Sequence, residues 1–295
     1  MKTVAVLLTV YNRKDSTKKC LKSLFEDLDK HSGLSVDIWL TDDGSTDGTK
    51  EMLDSSFPDR NIHVLEGTGD LFWTAGMNNS WRAASEFLDY DGYLWLNNDV
   101  LVLPGLFEEL EAAEEYSLKT YGKVGILVGS LQDFNRSKFT YGGFNYLSRI
   151  SLADDYVIPD GTFRTCQGAH GNITYVSKAV FEARGMLYGK YIHGGADHDY
   201  TYLAYKVGFP LVVLKKYVGL CDNDHVGSDI QLSERTLKER LEYIKSPAGL
   251  NLRNTLLFQK RCFPFRYPFV YVFTYAKVLF PKFFYKISII LKELS

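Results

Sequence analysis

The first strand-length run constrains the chain most. Val4–Val10 is apolar except for Thr9 and stops abruptly at Tyr11-Asn12-Arg13. A run without alternation reads as a strand buried on both faces, which is the habit of parallel strands covered by helices. The same signal recurs at Val36–Leu40, Ile62–Leu65, Tyr93–Leu96 and Val124–Val128. Helical stretches separate these runs. The first, with Asp15 or Ser16 as cap, carries Leu21, Leu24, Phe25 and Leu28 at helical spacing and ends by Gly33. Others are expected up to about Leu53, near Ala75–Leu88, and after Pro104, which suits a first helical turn. Strands alternating with helices predict an α/β domain around a mainly parallel sheet. After Ser130 the pattern turns to hairpins and loops, and helical periodicity returns near Ser177–Ala183 and Asp199–Val207.

In open α/β sheets ligands bind outside the carboxyl ends of the strands. Here those ends are polar: Thr9-Val10-Tyr11-Asn12, Thr41-Asp42-Asp43-Gly44 and Asn97-Asn98-Asp99. Each alone is ordinary turn chemistry. Three at one sheet edge predict a site.

These stretches resemble family 2 glycosyltransferases, which adopt the nucleotide-sugar-binding GT-A fold. The matching segments are Leu7–Arg13 (LLTVYNR), Asp42–Thr49 (DDGSTDGT), Leu96–Val100 (LNNDV) and Gly195–Phe209. The resemblance implies an inverting transfer of a sugar from a nucleoside diphosphate to an acceptor hydroxyl. It assigns Thr9, Tyr11, Asn12, Asp42 and Asp43 to the nucleoside. A carboxylate and nearby hydroxyl or backbone groups can satisfy a pyrimidine's donor and acceptors, and Tyr11 can pack on its face. Asp47 serves either as a helix cap or as a ligand contact.

LNNDV occupies the place of the family's DxD motif, with Asn97 where the first Asp usually stands. The departing diphosphate needs its charge shielded, and a hard cation, Mn²⁺ or Mg²⁺, does this on oxygen ligands. Asp99 is the expected metal carboxylate, flanked by Asn97 and Asn98 on the donor side, with His225 as the matching imidazole. Asp197 matches the family's general base, needed because a sugar hydroxyl is a poor nucleophile. Ala196 stands where many members carry a second acid. Gly67–Asn78 reads as a small-residue segment leading into a helix, with Gly76 and Asn78 lining the donor site. Trp73 is either a sugar platform or core. Trp73, His193, His198 and Asp199 are candidates on the acceptor side.

The net charge of −2 excludes a general nucleic-acid footprint, but it hides an asymmetry. Residues 253–295 hold eight Lys/Arg against one acid, Glu293, while the rest carries 26 basic and 35 acidic residues. In Lys260–Lys292 aromatics alternate with cations and no acid intervenes, the pattern of an interfacial segment. A homodimerisation arm is the other reading. The apolar runs there fall short of the ~20 residues of a spanning helix. Four scattered cysteines favour a reducing cytosol, with peripheral contact at the inner membrane face. The expected organisation is a catalytic domain over 1–228, donor half 1–100 and acceptor half 101–228, followed by a helical extension over 229–295. The acceptor implied is a glycan, often lipid-linked, of bacterial surface polysaccharide. A nucleotidyltransferase is the rival enzyme, though Tyr11-Asn12-Arg13 is not its Gly-rich basic loop. A non-catalytic glycan- or membrane-binding module is the other alternative.

Overall fold

The computed structural model describes residues 2–148, 154–192, 194–223, 232–246 and 251–286. It forms two compact units, residues 1–190 with 196–223, and residues 191–195 with 224–295.

The first unit is built on β1 (Thr3–Val10), α1 (Lys14–Leu28), β2 (Ser35–Asp42), α2 (Thr49–Ser56), β3 (Ile62–Glu66), α3 (Phe72–Phe87) and β4 (Gly92–Leu96). β5 (Leu101–Val102), α4 (Leu106–Tyr121), β6 (Ile126–Gln132), β7 (Phe139–Tyr141), β8 (Gly143–Tyr146) and β9 (Asp154–Tyr156) follow. β10 (Arg164–Thr165), β11 (Gly168–Ala169), β12 (Ile173–Ser177), α5 (Lys178–Arg184), α6 (Ala196–Lys206) and β13 (Leu211–Leu220) complete it. The main sheet runs β10-β13-β6-β12-β4-β1-β2-β3, with β5 on β13 and β7 on β6. As expected, it is mixed and mainly parallel, and a helical C-terminal region is present.

The direction of each strand determines what reaches the ligand edge. β4, β1, β2 and β3 are mutually parallel, so Leu96, Val10 and Asp42 end on one side. β12 runs antiparallel to β4, pairing Ile173 with Leu96, so the loop entering β12 lies at that same edge. β6 is antiparallel to β12 and β13 is parallel to β6, which brings the end of β13 there as well. The ends of β1, β2, β3, β4, β6 and β13 and the start of β12 thus deliver loops to one rim.

Burial explains the elements. Val4 to Leu8 are wholly buried because helices cover both faces of β1. In α1, Cys20, Leu21, Leu24 and Phe25 face the sheet, while Lys18, Lys19 and Lys22 face water. A smaller antiparallel sheet, β11-β8-β9, packs against α6, where Thr201 Oγ1 accepts from Ala169 N at 3.1 Å.

Three helix boundaries differ from the periodicity. α1 starts at Lys14 after an Arg13 cap position, so neither Asp15 nor Ser16 is the cap. Instead Asp47 Oδ2 accepts the Lys14 N–H from across the loop, 2.8 Å away. α2 is entered through left-handed Gly48, so Asp47 is not its N-cap either. α3 begins at Phe72 rather than near Ala75, which places Trp73 inside the helix and not before it. Gly76 is required there by close approach, since a Cβ would lie 2.2 Å from Thr9 Oγ1.

The second unit contains α7 (Leu237–Lys245), α8 (Leu252–Cys262), a 3₁₀ turn at Pro264–Arg266 and α9 (Tyr267–Leu279). Its core is Leu232, Ile244, Leu252 and Val278, joined by Leu241, Leu256 and Tyr275. Thr236 and Glu239 form a reciprocal capping box on α7. Among the described residues no helix is long and apolar enough to cross a membrane.

Asp27 is a buried carboxylate on α1 that caps another helix. It accepts Gly105 N at 2.6 Å and Phe107 N at 3.1 Å, at the start of α4, whose own cap position is a glycine. Asp27→Ala strands those amides, so we expect a loss of about 2–3 kcal/mol in urea unfolding. A loss within experimental error would show that α4 needs no such cap.

Candidate active site

The site begins with a buried carboxylate. Asp43 is only 4% exposed. Its Oδ1 accepts Gly69 N at 2.8 Å, and its Oδ2 accepts Leu71 N at 2.8 Å and Phe72 N at 3.2 Å. The segment from Gly67 to Phe72 therefore wraps around one side chain. Gly67 has no room for a Cβ, which would stand 2.6 Å from Asp43 Oδ1. Phe72 adopts φ +55° and Gly69 φ +93°. A non-glycine residue in that region costs about 1–2 kcal/mol, and charge-assisted bonds to Asp43 offset it. This nest starts α3 and so aims Trp73.

Trp73 joins the remaining loops. Its indole Nε1 donates to Asn97 Oδ1 at 2.8 Å, and its ring stands edge-on to Trp95. A Cβ on Gly171 would come within 2.8 Å of the Trp73 ring and 3.3 Å of Asp197 Cβ. Gly171 N donates to Asp197 Oδ2 at 2.9 Å, while Asn97 N donates to the neighbouring Asn172 carbonyl at 3.0 Å. Asp197 lies in the first turn of α6, its side chain 17% exposed, with His198 Nε2 3.9 Å from Oδ2. One connected network therefore runs from Asp43 through Trp73 to Asn97 and, through Gly171, to Asp197.

Asp99 stands two residues beyond Asn97. Arg13 Nη1 donates to its Oδ2 at 2.7 Å, and the thiol of Cys221, just past the end of β13, lies 3.8 Å from Oδ1. Both charged side chains of this pair are partly exposed. Cys20 sits below, its Sγ 3.4 Å from the Asn97 carbonyl. Burial pushes the Cys20 thiol far up, with Asp99 and Cys221 adding to it, so it is a neutral packing group.

The other predicted residues divide by exposure. Tyr11 is open to solvent beside Asn12, which has φ +50°. Asn12 Oδ1 accepts Thr46 N and its own N–H donates to Ser45 Oγ, joining the β1 loop to the DDGSTDGT loop. Asp42 Oδ1 accepts Ser45 N at 2.8 Å. Thr9 is covered by Gly76, as described above. Asn78 donates to the Leu187 carbonyl, and its Oδ1 is buried without a hydrogen-bond partner. Asn98 is buried and donates to Thr17 Oγ1 under α1. Asp199 is buried. His198 packs edge-on against Phe144 and His170. His193 and His225 lie outside the described residues.

Sequence reasoning passed over Arg13, Ser45, Thr46 and Gly171 as individual site residues. Arg13 stood within LLTVYNR, and Gly171 within the loop entering β12. Only the antiparallel pairing of β12 with β4 brings that glycine to Asp197. A separate open hollow lined by Lys14, Asp15, Lys18, Ser45, Thr46 and Glu51 includes none of Asp43, Asp99 or Asp197.

Whether the motif suits a metal can be judged from its donors. Among the described residues no group of three or more His, Cys, Asp or Glu could hold an ion. A divalent ion shared with a diphosphate, however, commonly takes only one or two carboxylates from the protein. Asp99 is reachable from solvent and offers one, with Arg13 as the group a cation must displace or share with.

The model of the family described as glycosyl transferase family 2 matches residues 5–171. That is more than half of the 295 residues, and the chain belongs to this family. It is accordingly a glycosyltransferase with a GT-A fold. No curated protein sequence matches it. Among solved structures it is similar to S. aureus TarS 1–349, with a TM-score of 0.52 at 13% identity, covering 88% of this chain and 69% of that one. The same TarS segment in complex with UDP-GlcNAc gives 0.53 at 12% identity, covering 88% and 71%. Mannosyltransferase PcManGT from Pyrobaculum calidifontis, in complex with GDP-Man and Mn²⁺, gives 0.51 at 14%, covering 95% and 75%. At these identities the likeness concerns the fold alone.

The nest around Asp43 can be tested directly. Asp43→Asn turns an NH₂ toward amides that need an acceptor, and should cost about 2–3 kcal/mol in unfolding free energy. Asp42→Asn, with one backbone amide on a less buried side chain, should cost under about 1 kcal/mol. Equal losses in the two variants would mean the nest does not hold α3 in place.

Proposed function

We propose that the chain transfers a hexose or deoxyhexose from a nucleoside-diphosphate donor to a hydroxyl of a glycan acceptor, with inversion. The observation that carries the reading is Asp197, a little-exposed carboxylate fixed by the Gly171 amide in the same network as Asp43 and Trp73. Residues 1–228 act as the catalytic domain, with 1–100 serving the donor and 101–228 the acceptor. In this reading Asp197 accepts the proton of the acceptor hydroxyl as that oxygen attacks the anomeric carbon. The bond from that carbon to the diphosphate oxygen breaks on the opposite face, and the nucleoside diphosphate leaves with the bonding electrons. Direct displacement needs one base and no protein nucleophile, which accounts for inversion.

Tyr11, Asn12, Asp42 and Asp43 border the nucleoside, Tyr11 by stacking and Asp43 mainly by shaping the loop, since its oxygens already accept three amides. Thr9, Gly76 and Asn78 support the donor pocket from β1 and α3, and Asn97 and Asn98 shape the diphosphate turn. Trp73 backs the site between donor and base, and His198 and Asp199 belong to the acceptor side. Asp99 would hold Mn²⁺ or Mg²⁺, with His225 as a second ligand, and such an ion neutralises charge on the departing diphosphate. Arg13 adds a guanidinium at the same place. A lipid-linked glycan of bacterial surface polysaccharide fits the family as acceptor.

Asp197→Asn keeps the shape and removes the base. We expect unchanged donor affinity in calorimetry and a transfer rate lower by about 10²–10⁴-fold. Full transfer by this variant would remove Asp197 from the role. In a thermal-shift panel, nucleoside diphosphates with Mn²⁺ should raise the unfolding midpoint of the native chain, because a ligand of the folded state stabilises it. Asp99→Asn should abolish the Mn²⁺-dependent part of that rise. An undiminished rise would place the cation elsewhere.

A further inference from the structure

We infer that the outward face of α9 and the helical segment 281–286 after it form a docking surface for an anionic lipid headgroup layer. This rests on the second unit alone and stands whether or not the catalytic reading holds.

The face is defined by helical spacing. Tyr275 and Val278 of α9 turn into the core formed with Leu232, Ile244 and Leu252. Phe269, Val272 and Phe273 project from the opposite side, where residues three and four apart share a face. They are exposed: Phe269 by 64% and Phe273 by 58%. Leu279, Phe280 and Phe283 continue the exposed apolar surface past the end of the helix. Between Phe265 and Phe283, nine large apolar side chains are exposed, among the described residues. So many exposed large apolar side chains within one short stretch are rare on a protein that meets only water.

Charge selects the occupant. From Tyr243 to Lys292 the sequence holds nine Lys or Arg and no acid. Lys260 on α8, and Lys282 and Lys286 beyond α9, are exposed. Apolar rings interleaved along the chain with cations match a layer with acyl chains beneath anionic headgroups. A self-complementary protein contact with these cations would instead bring like charges together. α9 spans 13 residues, too short to cross a bilayer, so it would lie along the surface.

The test is sedimentation of the full chain with phosphatidylcholine vesicles, with and without phosphatidylglycerol. Expected is binding at least about tenfold tighter to the anionic vesicles, weakened by added salt. Two double variants alter exposed positions only, F269S/F273S and K282E/K286E. Each should lower binding to anionic vesicles by about tenfold or more. Circular dichroism and the thermal midpoint of each variant establish that it folds as the native chain does. If a variant fails that check, Val272→Ser alone, or Lys282→Glu alone, replaces it. Absence of vesicle binding by the native chain would overturn the proposal. So would binding that ignores lipid charge, or that folded variants retain in full. Concentration-dependent dimers in analytical ultracentrifugation, lost in F269S/F273S without any vesicle binding, would assign the face to a second copy instead.

Discussion

A buried carboxylate cannot stay without partners, and much of the site follows from how Asp43 finds them. In a region shielded from water, its two oxygens take backbone amides from Gly69, Leu71 and Phe72. Those three amides make the loop after β3, whose Gly67 N also donates to the Asp42 carbonyl, fold back onto the end of β2. Once it does, α3 must start at Phe72, and Trp73 must enter between β4 and the loop before β12. The ring then holds Asn97 by a hydrogen bond and leaves space for only a glycine at position 171. Asp197 is fixed by that glycine's amide. A single desolvated charge thereby sets the position of a carboxylate more than 150 residues away in sequence.

Charge is treated differently at the other end of the rim. Asp99 is solvent-accessible, and a guanidinium accompanies it rather than a set of backbone amides. A surface pair of this kind contributes little to stability, about 0–1 kcal/mol, so it can be exchanged for another cation at small cost. Asp43 has the opposite character, since exchanging its partners would dismantle the start of α3. Of these two acids of the rim, Asp43 builds and Asp99 remains available.

The sheet and its parallel core were legible in the sequence because unbroken apolar runs have few alternatives in a chain of this length. The DDGSTDGT and LNNDV segments could be placed at the carboxyl edge for the same reason: polar turns that interrupt apolar strands have to lie at strand ends. Helix starts were less legible. Local rules favour Asp15 or Ser16 as the cap of α1, whereas the group that takes the first amide is Asp47, more than 30 residues away. The small residues of Gly67–Asn78 read as a segment leading into a helix near Ala75, yet the helix starts three residues earlier, at Phe72. Contact with Asp43 and Thr9, and not propensity, decides where that helix begins.

By itself, then, the sequence determined which residue types meet at the rim: periodicity and polar turns are local properties that each segment carries with it. The basic, aromatic character of the second unit was equally plain, being compositional. Only the tertiary structure decided which groups are consumed in holding the site and which are left to act. Asp43 is saturated by the segment that starts α3 and Asn98 is buried under α1, while the hold of the Gly171 amide on Asp197 depends on the antiparallel insertion of β12 and on a glycine that permits close approach. Hydrogen-bond partners that lie far apart in the chain cannot be read from either segment alone, because neither contains the geometry that joins them.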